Sequence, residues 1–145
     1  MKATLLYRIA SVLLIVFALG HTVGFLKFKP SSPEGLAVLE AMNNTHFQSR
    51  GATHTYGEIY TGFGLYATLF LLFAACLAWH LGNLARTSPQ AIGALGWVFC
   101  IAQVLGMVLS WIYFSPPPVV FSAVIALCLG WATWLTRAKA QSAHA

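Results

Sequence analysis

A chain of 145 residues that is 59% apolar, only 8% charged and carries a net charge of +5 cannot hide its hydrocarbon inside a water-soluble core. Soluble domains carry about 25% charged residues, so the bilayer is the expected solvent. The basic residues flank apolar runs, with no Lys/Arg block and no aromatic–basic interleaving. This excludes nucleic acid as a partner and points to the membrane surface.

A hydrocarbon layer of about 30 Å takes about 20 helical residues. Four runs meet or approach that length, at about 5–26, 59–81, 91–114 and 119–135. They predict an all-α fold, a four-helix transmembrane bundle forming one integral membrane domain over 1–145. In the first run, Ala18-Leu19-Gly20 has the small-x-small form of a signal-peptidase site. The apolar stretch continues through Val23, Phe25 and Leu26, too long for a signal core, so it is read as a true span. Gly20 and Gly24 form a small-xxx-small pair on a stripe with Phe17 and His21, predicting a close helix contact there.

The loop from 28 to 57 follows, and it carries all three carboxylates, Glu34, Glu40 and Glu58. Ser32-Pro33-Glu34 is a helix start, because Ser caps, Pro suits the first position and Glu faces the positive end of the dipole. Ser31 and Glu34 also have capping-box spacing. Leu36, Leu39 and Met42 recur at threefold spacing, predicting a short amphipathic helix from Pro33 to Met42 that Asn43-Asn44 ends. The polar stretch from Thr45 to Gly51 is expected as loop with Phe47 as an anchor. Asn43-Asn44-Thr45 matches a glycosylation sequon, which is weak evidence alone.

On the second run Glu58, Gly62, Leu65, Leu69, Cys76 and His80 share a helical stripe. On the third, Gly96, Gln103, Gly106, Met107 and Ser110 do, and Ser122 leads a stripe on the fourth. Residues 82–90 and the prolines at 116–118 are expected as the two short turns between spans. Cys76, Cys100 and Cys128 each sit inside a run, as buried apolar filler rather than as a disulfide framework. Trp79, Trp97, Trp111, Tyr113, Trp131 and Trp134 fit interfacial belts. Arg8 and His80 are expected to snorkel to water, and His144 lies in a polar tail.

Packing the polar stripes inward predicts an outer-leaflet pocket with binding residues His21, Arg50, Glu58, Gln103 and Ser110. His21 and Glu58 are the candidates for catalysis: His21 would move a proton, Glu58 would orient it and Arg50 would hold an anionic group. The plainer reading is that His21 and Glu58 satisfy one another or the loop backbone. A metal site would require His46, His54 and Glu58 to converge, with His21 as a further candidate, but the eight-residue spacing of His46 and His54 fits no compact ligand motif. His21 and His80 lie at unmatched depths for haem. No cofactor is therefore expected. Cys-x-x-Cys, Gly-x-Ser-x-Gly and His-Glu-x-x-His are all lacking, and the first span has no carboxylate of the kind on which small multidrug transporters depend.

The segments Leu19–Phe25, Gly62–Leu65 and Phe121–Gly130 together resemble a family of small bacterial four-span membrane proteins. The resemblance covers nearly the whole chain. It implies a bacterial inner membrane and four helices, and it brings no activity and no functional residues with it. The leading expectation is a non-enzymatic accessory subunit or lipid-binding protein, with membrane lipid and other subunits or further copies of itself as partners. The alternative is an enzyme or transporter acting on a lipid-like or anionic small molecule. Lys2, Arg8, Arg86, Arg137 and Lys139 outnumber Lys27, Lys29 and Arg50 on the opposite side, so both termini are expected in the cytoplasm.

Overall fold

The computed structural model describes residues 1–142; His144 lies outside them. Five α-helices dominate: α1 Lys2–Leu26, α2 Pro33–Asn44, α3 Tyr56–Thr87, α4 Leu95–Tyr113 and α5 Pro116–Ser142. Between α2 and α3 lies a hairpin of β1 His46–Ser49 and β2 Ala52–Thr55, and a 3-10 turn at Pro89–Ile92 links α3 to α4. Helices α1, α3, α4 and α5 are long and apolar enough to cross a membrane, which marks a multi-pass membrane protein. At 1.5 Å per residue, the 32-residue α3 is about 48 Å long, well beyond a hydrocarbon layer of about 30 Å.

Two of the expected turns fall elsewhere. The prolines at 116–118 are not a turn but the first residues of α5, and the break is at Phe114 and Ser115. Proline lacks only an N–H that the first helical turn leaves unbonded anyway, so it suits this position. Helix α3 likewise runs through Gly82 to Thr87, and the chain turns over Ser88–Ala94. Gly93, at φ +49°, takes the left-handed conformation that this turn requires.

The chain divides into two compact units, one from Met1–Phe17 with Leu71 onward, the other Ala18–Phe70. The first is a bundle packed through small side chains and buried hydroxyls. Its core gathers Tyr7, Ala10, Leu14, Ala75, Ala78, Leu81, Ile125, Leu129 and Ala132. Tyr7 donates to Thr133 Oγ1 at 2.9 Å, since the Thr133 hydroxyl spends its own proton on the Leu129 carbonyl at 2.7 Å. Ser11 donates to the Ala75 carbonyl at 2.8 Å, tying α1 to α3. Gly96 brings α4 so near α5 that a methyl group there would strike Thr133 and the Tyr7 hydroxyl. Phe17 stacks on Phe121 with ring centres 5.3 Å apart. Arg8 does not simply snorkel: its guanidinium lies 4.8 Å above the Trp79 ring, and its Nε is buried without a hydrogen bond.

In the second unit, α2 starts as its sequence implies: Ser32 caps it, accepting from Gly35 N at 3.1 Å. The cap is Ser32 rather than Ser31, so the expected box with Glu34 does not form there. The helix runs two residues past Met42, through Asn43 and Asn44, with Thr45 as its C-cap. The stretch expected as loop is instead antiparallel, with His46 opposite Thr55 and Phe47 opposite His54. Arg50 at φ +48° and Gly51 at φ +84° form its two-residue turn, both in the left-handed region that tight hairpins use.

Candidate functional site

The second unit holds His21, Arg50 and Glu58, and each has a distinct setting. His21 is half-buried on α1, with Nε2 3.1 Å from the Gly64 carbonyl of α3. A carbonyl only accepts, so Nε2 carries the proton in this bond. The ring lies parallel to Phe25 at 5.8 Å, and Phe25 meets Tyr60 at 5.4 Å. The next residue, Thr22, donates to Ala18 O at 2.7 Å and contacts Thr68 Oγ1 at 2.8 Å. With the Thr22 proton committed to α1, Thr68 is the donor across the helices at 2.8 Å, a shorter contact than its 3.3 Å approach to the Gly64 carbonyl. His21 and Thr68 are thus two polar ties between α1 and α3.

Glu58 has another task. Its Oε2 accepts from Thr55 N at 2.8 Å, while Glu58 N donates to Thr55 Oγ1 at 3.1 Å. This reciprocal pair is a capping box at the start of α3. The same Oε2 lies 3.6 Å from His54 Nδ1, an exposed pair that is ionic only when His54 is protonated. His21 and Glu58 therefore bond to other groups and not to each other. The signal was present in the sequence as Thr55-x-x-Glu58, the spacing that Ser31 and Glu34 also have.

Arg50 is exposed at the hairpin tip. His46 is exposed as well, its Nδ1 2.9 Å from Asn44 O, while His54 lies 6.3 Å from the Phe47 ring directly opposite it. Successive side chains of a strand alternate faces, so His46 and His54 project from opposite faces of the ribbon. Among the described residues no three His, Cys, Asp or Glu side chains gather as a metal site.

The expected stripes fare unequally. On α1, Gly20 and Gly24 have open space where a methyl group would sit, so the close approach predicted for them is not made. It occurs at Gly64, where an added methyl would strike the Phe25 ring, and at Gly57, against Asn43 of α2. On α3, Gly62, Leu65, Leu69, Cys76 and His80 are exposed rather than inward, because the buried face is Ala75, Ala78, Leu81 and Ala85. Cys76 is correspondingly exposed, and Cys100 and Cys128 are half-buried. The α4 stripe does turn inward: Gly96 and Ser110 are buried, and Gln103 is half-buried. Ser122 is buried on α5.

A pocket of about 220 Å³ lies within the second unit, under α2. Its walls are Phe25, Leu26, Phe28, Leu39, Asn43, Gly57, Tyr60 and Thr61, so none of His21, Arg50 and Glu58 lines it. Binding pockets usually start at about 300 Å³, which makes this one small. The chain matches no known family profile, no curated protein and no solved structure. Its reading rests on its own residues.

Proposed function

We propose that this protein is a non-enzymatic integral membrane accessory, a four-span bundle that associates with lipid and with protein partners through helix faces left open. The observation that carries this reading is the employment of the candidate chemical groups. His21 ties two helices, Glu58 caps a third, and neither reaches the nearby pocket. Open faces support it: Gly20 and Gly24 of α1 and Gly62 of α3 have room for a close-packed partner helix. Large apolar residues such as Leu19, Phe63, Phe70, Leu105 and Leu127 are exposed along the spans, as lipid-facing positions are. The excess of basic residues beside the termini favours a cytoplasmic position for both, with α2 and the hairpin outside an inner membrane.

Native mass spectrometry of the purified chain tests the proposal. The expected result is retained phospholipid or a second protein subunit, with Gly24→Leu removing the protein partner at unchanged thermal stability. A small polar molecule that His21→Ala releases, again at unchanged stability, would replace this reading with the enzyme or transporter alternative. Labelling of a single cysteine introduced by His46→Cys, in a background without the native cysteines, reports the topology. Modification from the cytoplasmic side alone would reverse it.

A further inference from the structure

The first unit contains a second kind of feature, at the end of the bundle where α3 passes into α4. A cavity of about 330 Å³ is walled by the 3-10 turn (Pro89, Gln90, Ile92), by Gly93 and Ala94, by Trp97 of α4, and by Thr133, Thr136 and Arg137 of α5. Its volume is at the lower bound for small-molecule sites, enough for a polar headgroup but not for a whole lipid. Thr133 and Thr136 are buried, and their hydroxyl protons are committed to carbonyls of α5. The lining side chains with donors left for a ligand are therefore the Gln90 amide, the Trp97 indole N–H and the Arg137 guanidinium.

Charge decides what ligand that is. Residues 1–17 and 71–145 contain Lys2, Arg8, Arg86, Arg137 and Lys139 but no Asp or Glu, since the acidic side chains are at 34, 40 and 58. Arg137 has no acidic partner among the described residues. A guanidinium beside a concave wall, in a unit whose sequence has no Asp or Glu side chain to pair with it, calls for an anion from outside. Its planar fork matches two oxygens of a phosphate. The start of α4 adds to this without making a site by itself. Val98 N is bonded back to Ala94 O and no side chain caps the helix, so the amide of Trp97, the residue of this first turn that lines the cavity, precedes the first bond of α4. Trp97 supplies an apolar wall at this depth.

We propose that this cavity binds an anionic phosphate group, with Arg137 as its principal charge contact. On the topology proposed above, the site faces the cytoplasm, and a phospholipid headgroup and free inorganic phosphate are the two sources of that chemistry. The lipid source rests on the membrane reading; the phosphate contact does not.

The test uses the full chain, delipidated in neutral detergent. One arm titrates inorganic phosphate by calorimetry. The other adds phosphatidylglycerol in mixed micelles, with phosphatidylcholine as the neutral comparison, and counts retained lipid by native mass spectrometry. Saturable binding of one equivalent in either arm is expected, and the arm that saturates names the source. Arg137→Gln is expected to weaken it roughly tenfold, the loss of one charge-assisted hydrogen-bonded contact, and Arg137→Lys less. Arg137 is exposed, so neither variant should disturb folding, which a thermal melt checks. Arg86→Gln, outside the cavity wall, serves as the comparison and should change little. Equal weakening by Arg86→Gln and Arg137→Gln, or no saturable binding in either arm, would overturn the site. Release of the chain from membranes by alkaline carbonate would instead sink the membrane reading, leaving the phosphate arm to stand on its own.

Discussion

The two units of this chain solve the polar-group problem in opposite ways. In residues 1–17 and 71 onward, two buried hydroxyls bond across long stretches of sequence: Tyr7 reaches Thr133, and Ser11 reaches Ala75. In Ala18–Phe70 most such bonds are local and near the surface, as in the Thr55–Glu58 box, the Ser32 cap and the His46–Asn44 contact. Loss of a buried long-range bond leaves an unsatisfied group in hydrocarbon, whereas an exposed local one exchanges with water. The first unit should therefore hold the fold together, while the second is free to carry recognition. Every acidic side chain and three histidines are in that second unit, where His21 bonds the Gly64 carbonyl and Glu58 bonds Thr55.

The largest effect that would test this contrast is expected at Gly96. Gly96→Val must displace Thr133 or Tyr7, both buried and hydrogen-bonded to each other. A loss of about 3 kcal/mol is expected, the upper range for overpacking a tight core, visible as a lowered Tm in detergent. Gly24→Val serves as the opposite case, because nothing lies where its side chain would go, and Tm should hold. Equal losses at both positions would erase the distinction between filled and open glycines.

A smaller effect is expected at the capping box. Thr55→Ala removes the hydroxyl that caps α3 and should cost about 1 kcal/mol, read in the same melts. Glu58→Gln keeps an acceptor for Thr55 N and should be close to neutral. This pair of variants separates structure from chemistry: ligand binding or activity lost in Glu58→Gln, at unchanged Tm, would mean the charge itself is used.

What the sequence made legible follows from the strength of each physical signal. Long apolar runs reveal helices because their length is set by the bilayer, and Ser32-Pro33 reveals a helix start because capping is local. Neither polarity nor an isolated glycine marks the inward face of α3. The buried face is the recurring run of Ala75, Ala78, Leu81 and Ala85, while Gly62, Cys76 and His80 are exposed. The hairpin carries a weak sequence signal because Arg50 occupies a left-handed position where Asn, Asp or Gly is usual. The tie from His21 to Gly64 could not be read at all, since a backbone carbonyl 43 residues away leaves no mark in composition or spacing.

The smallest expected effects concern the histidines, and they refine the same contrast. His21→Ala removes a single bond between α1 and α3, and polar contacts between membrane helices average about 0.6 kcal/mol. His21→Gln can present an N–H to the Gly64 carbonyl and should recover part of that loss. A proton-carrying role would show instead as binding or activity that His21→Gln fails to restore while stability recovers, because an amide cannot titrate. His54→Ala should change stability by less than about 0.5 kcal/mol, as its contact with Glu58 is exposed on both sides. If His54→Ala proved the costlier of the two, the hairpin would be bracing the start of α3 as well as standing on it. The second unit would then owe its order to the His54–Glu58 pair more than to the His21 tie, and the division between a binding surface and a structural core would fall at a different place in the chain.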